Sequence, residues 1–199
     1  PYYYNCAQDE LLDHYRRIKD GVGLPLWVYN IPATVKTVVE PATVAQLASE
    51  GSVVGIKDSS GAGELLGELN VLCEQMDVHL LRFLGTIFRA TNTSGVGAHG
   101  VIPGIANLVP RTIVKAWEAG EAGEVGDARE HMAKLMVAGK IRGLTNGGSA
   151  VAASLSGMKS ALKMMGVIDH DVVSRPLRPL DEEEKRSLPA ILRELELVD

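Results

Sequence analysis

A chain of 199 residues, 46% hydrophobic and 23% charged, has the composition of a globular protein long enough to bury a sizeable core, with one domain as the default. Its net charge of -5, with Lys and Arg scattered rather than clustered, leaves no basic face for nucleic acid or anionic lipid. Cys6 and Cys73 stand in no C-x-x-C pair or Cys/His cluster, no charged leader opens the sequence and no apolar stretch reaches ~18 residues, so a disulfide scaffold, a thiolate zinc site, a signal peptide and a spanning helix are not expected, and a reducing cytoplasm fits.

Taken in chain order, Leu11, Leu12, Tyr15 and Ile18 mark one helical face over Gln8 to Lys19, and Gly21 and Gly23 end it. The run Leu26 to Pro32 reads as a strand, followed by a polar linker and a helix from Pro41, with Val44, Leu47 and Ala48 on one side. The pattern then repeats: strand 53 to 57, helix 62 to 75, strand 79 to 84, a short helix 87 to 94, strand 99 to 103 and helix 110 to 119. Four strand-helix units predict a parallel sheet with helices outside it. Past Gly120 the strand signals stop; 123 to 141, 155 to 166 and 181 to 196 read as helices, with an extended connector from Asp169 to Pro179.

Two apolar runs stop at reactive side chains: Leu26-Trp27-Val28-Tyr29-Asn30-Ile31-Pro32 and Ser52-Val53-Val54-Gly55-Ile56-Lys57-Asp58. A phenol and an amine at the ends of neighbouring strands suggest imine chemistry, because an imine-forming lysine must lose its proton and needs a group nearby that moves protons. Two readings stand for Lys57: a strand-end lysine reaching solvent, or a nucleophile at the mouth where parallel strands converge. Blander readings fit the other candidates. Gly95-Val96-Gly97-Ala98-His99-Gly100 matches G-x-G-x-x-G but precedes a strand, the reverse of the dinucleotide fingerprint. His99 has no second His or carboxylate at metal spacing, so no metal is expected. Asp181-Glu182-Glu183-Glu184 suits a helix N-terminus, and Ser59 and Ser60 lack the companions of a hydrolase triad.

Pro1-Tyr2-Tyr3, Tyr29-Asn30-Ile31-Pro32, Gly55-Ile56-Lys57-Asp58-Ser59-Ser60-Gly61, and Gly100-Val101-Ile102 with Ala106-Asn107, in this order, resemble the dihydrodipicolinate synthase and N-acetylneuraminate lyase superfamily. The resemblance implies an α/β fold, a (β/α)8 TIM barrel of which this chain supplies strands 5 to 8 (residues 1 to 120) plus a C-terminal helical appendix (121 to 199). It implies that Lys57 forms a Schiff base with pyruvate or another 2-oxo acid and that Tyr29 shuttles protons. It also implies that Tyr3 reaches across a dimer interface into the neighbour's relay and that Ile102 lines the pyruvate end of the pocket, with Gly85 and Ser59 among the substrate-binding residues. No cofactor is implied.

Departures from the family pattern matter as much. Its Gly-Thr-Thr-Gly-Glu segment, which binds the pyruvate carboxylate, falls in the half of the barrel outside this chain; a second chain supplying strands 1 to 4, a nicked or truncated enzyme, or a longer sequence of which this is a part would each account for this. Thr34 stands where the synthase branch carries a carboxylate-gripping arginine, and Lys36 could substitute only as a point charge. Ser156-Gly157-Met158-Lys159 replaces an Asn-Pro and is closer to aldolase members. The expected activity is therefore a pyruvate-dependent aldolase acting on a 2-oxo acid such as a 2-keto-3-deoxy sugar acid or 4-hydroxy-2-oxoglutarate. A dehydratase would use the same imine. 4-Hydroxy-tetrahydrodipicolinate synthase is the alternative, with an inactive binding subunit or a sugar-acid sensor from another class. Expected partners are pyruvate, an aldehyde and further copies of the chain in a homo-oligomer.

Overall fold

In the structure, a computed structural model that describes residues 3–199, strands and helices alternate through the first half of the chain and helices alone follow. Pro1 and Tyr2, the start of the first motif, lie outside the described residues. Two compact units are distinguished, one of residues up to 104 with 120–123, the other of 105–119 with 124–199.

In the first unit, α1 (Gln8–Val22) opens where the Glu10 carboxylate accepts the Ala7 N–H at 2.7 Å, and closes on Gly23 in the left-handed region, whose N–H returns to the Lys19 carbonyl. Strands β1 (Trp27–Asn30), β2 (Gly55–Asp58), β3 (Leu81–Leu84) and β4 (Gly100–Val101) form a parallel sheet in the order β1-β2-β3-β4. Helices α3 (Pro41–Ser49) and α4 (Glu64–Gln75) are the crossovers that parallel pairing requires. Alternation along the strands sends Val28, Ile56 and Leu84 into one cluster with Leu11, Val44, Leu47, Leu66 and Leu69. Each such side chain, fully buried, contributes about 1.5–3 kcal/mol over its exposed state.

The other face of the sheet carries Trp27, Tyr29, Lys57 and Phe83, and it stays open: Trp27 is 40% exposed and Tyr29 49%. Gly55 lets the Trp27 indole lie across β2, since a Cβ there would come within 2.6 Å of Trp27 Cε3. The indole thereby meets Phe83, ring centroids 5.6 Å apart.

Local details differ from the sequence pattern. The polar linker after β1 holds a one-turn helix, α2 (Pro32–Val35), started by proline at its N-terminus and stopped by Lys36 in the left-handed region. The helix expected over 87 to 94 is absent. Ala90 and Asn92 bond carbonyls three residues back, and the Asn92 side chain takes the Gly95 N–H, so turns win and only Ser94–Val96 winds, as a 3₁₀ turn. The glycine-rich stretch leads into β4 rather than out of a strand.

The second unit holds most of α5 (Pro110–Glu121), with α6 (Val125–Gly139), α7 (Ala150–Met164) and α8 (Leu188–Glu194), and its later helices are joined by 3₁₀ turns and an extended stretch before Glu184. Helix α7 begins five residues earlier than its apolar pattern, because the Ser149 hydroxyl accepts the Ala152 N–H and caps it. The terminal helix is shorter than expected: 181 to 187 form a capped turn and 3₁₀ segment, and α8 starts afresh at Leu188, since Pro189 has no N–H to continue a ladder.

Candidate active site at the strand ends

Parallel pairing of β1 with β2 sets Tyr29 opposite Lys57 and, one step on, Asn30 opposite Asp58. Tyr29 and Lys57 share the open face, at the C-terminal ends of adjacent strands. Lys57 Nζ donates to Tyr29 Oη at 3.1 Å and sits 4.2 Å from the centre of the phenol ring, so the amine lies over the ring and against its hydroxyl. A proton can pass directly between the two groups.

The next residues shape the rim. Beyond β2 the Ser59 N–H bonds the Asn30 carbonyl at 2.7 Å, and beyond β3 the Gly85 N–H bonds the Asp58 carbonyl at 2.7 Å, extending the ladder past the strands. A Cβ on Gly85 would meet the Ser59 hydroxyl, which would have to turn aside. Ser59 and Gly85 are therefore neighbours on the rim. Ile102 follows β4, its N–H bonded to the Leu84 carbonyl at 2.7 Å and its side chain 46% exposed.

Two sequence candidates stand apart from this cluster in their contacts. Thr34 is exposed on α2, where its N–H bonds the Ile31 carbonyl. Tyr3 is 79% exposed, its ring edge-on to Tyr4. Sequence reasoning missed Asn30 and Asp58, which are buried behind the Tyr29–Lys57 pair and hydrogen-bonded to each other at 2.8 Å. The signal was there, a polar residue directly after each reactive one, but its pairing needed the strand register. No group of three or more His, Cys, Asp or Glu that could hold a metal ion occurs among the described residues. His99 instead accepts the Arg82 backbone N–H through Nδ1 at 3.1 Å, and burial, with the Arg82 charge, pushes its pKa below the usual imidazole value.

Comparison with known proteins identifies relatives of the chain as a whole. The model of the dihydrodipicolinate synthetase family matches residues 1–195. A 4-hydroxy-tetrahydrodipicolinate synthase of Geobacter metallireducens is 32% identical over an alignment that takes in 100% of this chain and 64% of that protein. Among solved structures, dihydrodipicolinate synthase of Bacteroides thetaiotaomicron superposes with a TM-score of 0.86 at 27% identity, over 98% of this chain and 64% of the other. YagE of Escherichia coli K12, a prophage protein of the dihydrodipicolinic acid synthase family solved in complex with pyruvate, superposes with a TM-score of 0.84 at 26% identity, over 100% of this chain and 65% of that one. The chain spans 64% of the length of the Geobacter relative. With the motif strands paired as the resemblance requires and the match running almost end to end, the chain belongs to the dihydrodipicolinate synthetase family.

Proposed function

We propose that this chain works as a class I, Schiff-base aldolase on a pyruvate-derived 2-oxo acid, as strands 5 to 8 of a (β/α)8 barrel with a helical appendix. The observation that carries the proposal is the 3.1 Å contact between Lys57 Nζ and Tyr29 Oη at the ends of two parallel strands. The open face supports the barrel reading, since parallel sheets are as a rule covered on both faces and this one exposes Trp27 and Tyr29. Helix α5 follows the last strand, so we assign 1 to 120 to the barrel half and 121 to 199 to the appendix, although most of α5 groups with the downstream helices.

In the proposed mechanism, Lys57 attacks the 2-oxo carbon as the free amine, and Tyr29 returns a proton to the departing hydroxyl of the carbinolamine, which leaves as water. The protonated imine draws electrons from the C3–C4 bond. That bond breaks to an enamine and an aldehyde, the substrate's C4 hydroxyl giving up its proton; protonation of the enamine and hydrolysis then release pyruvate and free the amine. Ile102 lines the pyruvate end, Ser59 and Gly85 form the rim, Thr34 faces the far end of the substrate, and Tyr3 serves a neighbouring copy's relay. The carboxylate-binding residues come from the other half of the barrel, on the same polypeptide or a second one.

Synthase activity is the second reading, favoured by the name of the Geobacter relative. Against it stands Thr34, whose hydroxyl cannot make the two-pronged grip of an arginine on a second carboxylate. The test of the imine reading is exchange of the pyruvate methyl protons for deuterium in D₂O, which enamine formation causes without any aldehyde. Exchange catalysed by the protein and lost in Lys57→Ala is the expected result. Exchange no faster than in buffer overturns the reading.

A further inference from the structure

Behind Tyr29 and Lys57, on the covered face of the sheet, Asn30 and Asp58 form a buried clamp. Asn30 Nδ2 donates to Asp58 Oδ1 at 2.8 Å, and Asn30 Oδ1 accepts the Val39 N–H at 3.1 Å, which fixes the amide one way round. Asp58 Oδ1 also accepts the Ser60 N–H at 3.1 Å. Asn30 is 1% exposed and Asp58 fully buried, and the second carboxylate oxygen, Oδ2, has no partner among the described residues.

Stability is a poor reason for this pair. Burying a carboxylate and an amide costs desolvation, and apolar side chains of similar volume in such places often leave a fold as stable or more so. What the pair supplies is position. A slip of one residue between β1 and β2 would turn Lys57 to the helix side of the sheet. A slip of two would draw its amine about 6.6 Å along the strand from the Tyr29 hydroxyl. Leucines at 30 and 58 would tolerate sliding; a pair of hydrogen bonds with one geometry does not. The same two side chains hold the Val39 and Ser60 backbones, so the segments leaving both strands are tied to one point.

We propose that Asn30 and Asp58 are positioning residues that hold the Lys57 amine against the Tyr29 hydroxyl. The inference rests on the aldolase reading for its purpose, but its geometry can be tested without that reading. The experiment compares the full chain with Asp58→Leu and Asp58→Asn, using circular dichroism and melting temperature to establish folding. The first readout is acetylation of Lys57 by acetic anhydride, measured by peptide mass relative to the protein's other lysines. The second is the rate at which pyruvate and borohydride trap an adduct on Lys57.

With Asp58→Leu folded, acetylation of Lys57 should rise several-fold towards that of freely exposed lysines, and trapping should slow by about tenfold or more, the scale of effect a displaced reacting group produces. Asp58→Asn keeps an oxygen for the same two donors and should restore both rates relative to Asp58→Leu. Equal acetylation in all three folded proteins overturns the proposal, as does failure of Asp58→Asn to improve on Asp58→Leu. If Asp58→Leu does not fold, Asn30→Leu, which breaks the same bond from the other strand, carries the comparison on the same criteria. Absence of any adduct in the unsubstituted protein sinks the aldolase reading alone, because the acetylation comparison still decides the clamp.

Discussion

In the proposed mechanism Tyr29 and Lys57 divide the work that one residue cannot do, and the division is testable one atom at a time. Tyr29→Phe keeps the ring beneath the amine and removes only the hydroxyl that accepts from Nζ at 3.1 Å. Because Tyr29 is half-exposed, stability should stay within about 0.5 kcal/mol. The rate of imine trapping, read by quenched borohydride reduction, should fall about 10²- to 10⁴-fold, the range for a lost acid-base group. An unchanged rate would remove Tyr29 from the relay. At Thr34, exposed on α2, an arginine has room to extend. Thr34→Arg should shift kcat/KM towards aldehydes bearing a second carboxylate, and unchanged selectivity across an aldehyde panel would count against the subfamily argument. The placement of Tyr29 and Lys57 at the ends of apolar runs was legible in the sequence. Ser156 and Gly157 show the opposite case: read as a subfamily signature, they also have structural tasks. The Ser156 hydroxyl donates to the Arg178 carbonyl at 2.6 Å, and a Cβ on Gly157 would come within 2.6 Å of the Ile141 carbonyl oxygen.

Strands and crossover helices follow directly from hydrophobic period, which is why β1, β2, β3, α3 and α4 appear close to where the pattern places them. The misplaced pieces are those decided by single hydrogen bonds rather than by periodicity: the Ser149 cap of α7, the turns around Asn92, and the break before Pro189. No pattern reveals in advance which side chain will capture which N–H. The parallel order β1-β2-β3-β4 was legible as well, but the choice of covered face was not, since Trp27 and Val28 are both apolar. Ile56 tests that choice. Fully buried between the sheet and its helices, Ile56→Ala should cost about 2–5 kcal/mol in urea unfolding. A cost below about 0.5 kcal/mol, as at a surface site, would contradict the packing.

For the molecule as a whole, the second unit carries a buried carboxylate whose ion pair makes its stability depend on acid titration. The Glu184 carboxyl is held down to about 2 from an ordinary 4.5, chiefly by the Arg178 guanidinium and then by the N–H groups of Asp181 and Asn146. A folded value below the unfolded one makes the contribution complete above about pH 4.5 and progressively lost as the pH falls towards 2. Glu184→Gln should therefore lower the melting temperature most near neutral pH, with the difference shrinking below pH 4.5; a difference independent of pH would contradict the assignment. The chain spans 64% of the Geobacter relative, and its sheet keeps one face open, so the central claim concerns the pair at the strand ends rather than a finished pocket. That claim is tested most directly by incubating the folded protein with pyruvate, reducing with borohydride and locating the adduct by peptide mass. A single reduced pyruvyl adduct on Lys57, abolished in Lys57→Arg, is the predicted result. No adduct, or adducts spread over other lysines and unaffected by Lys57→Arg, would contradict it.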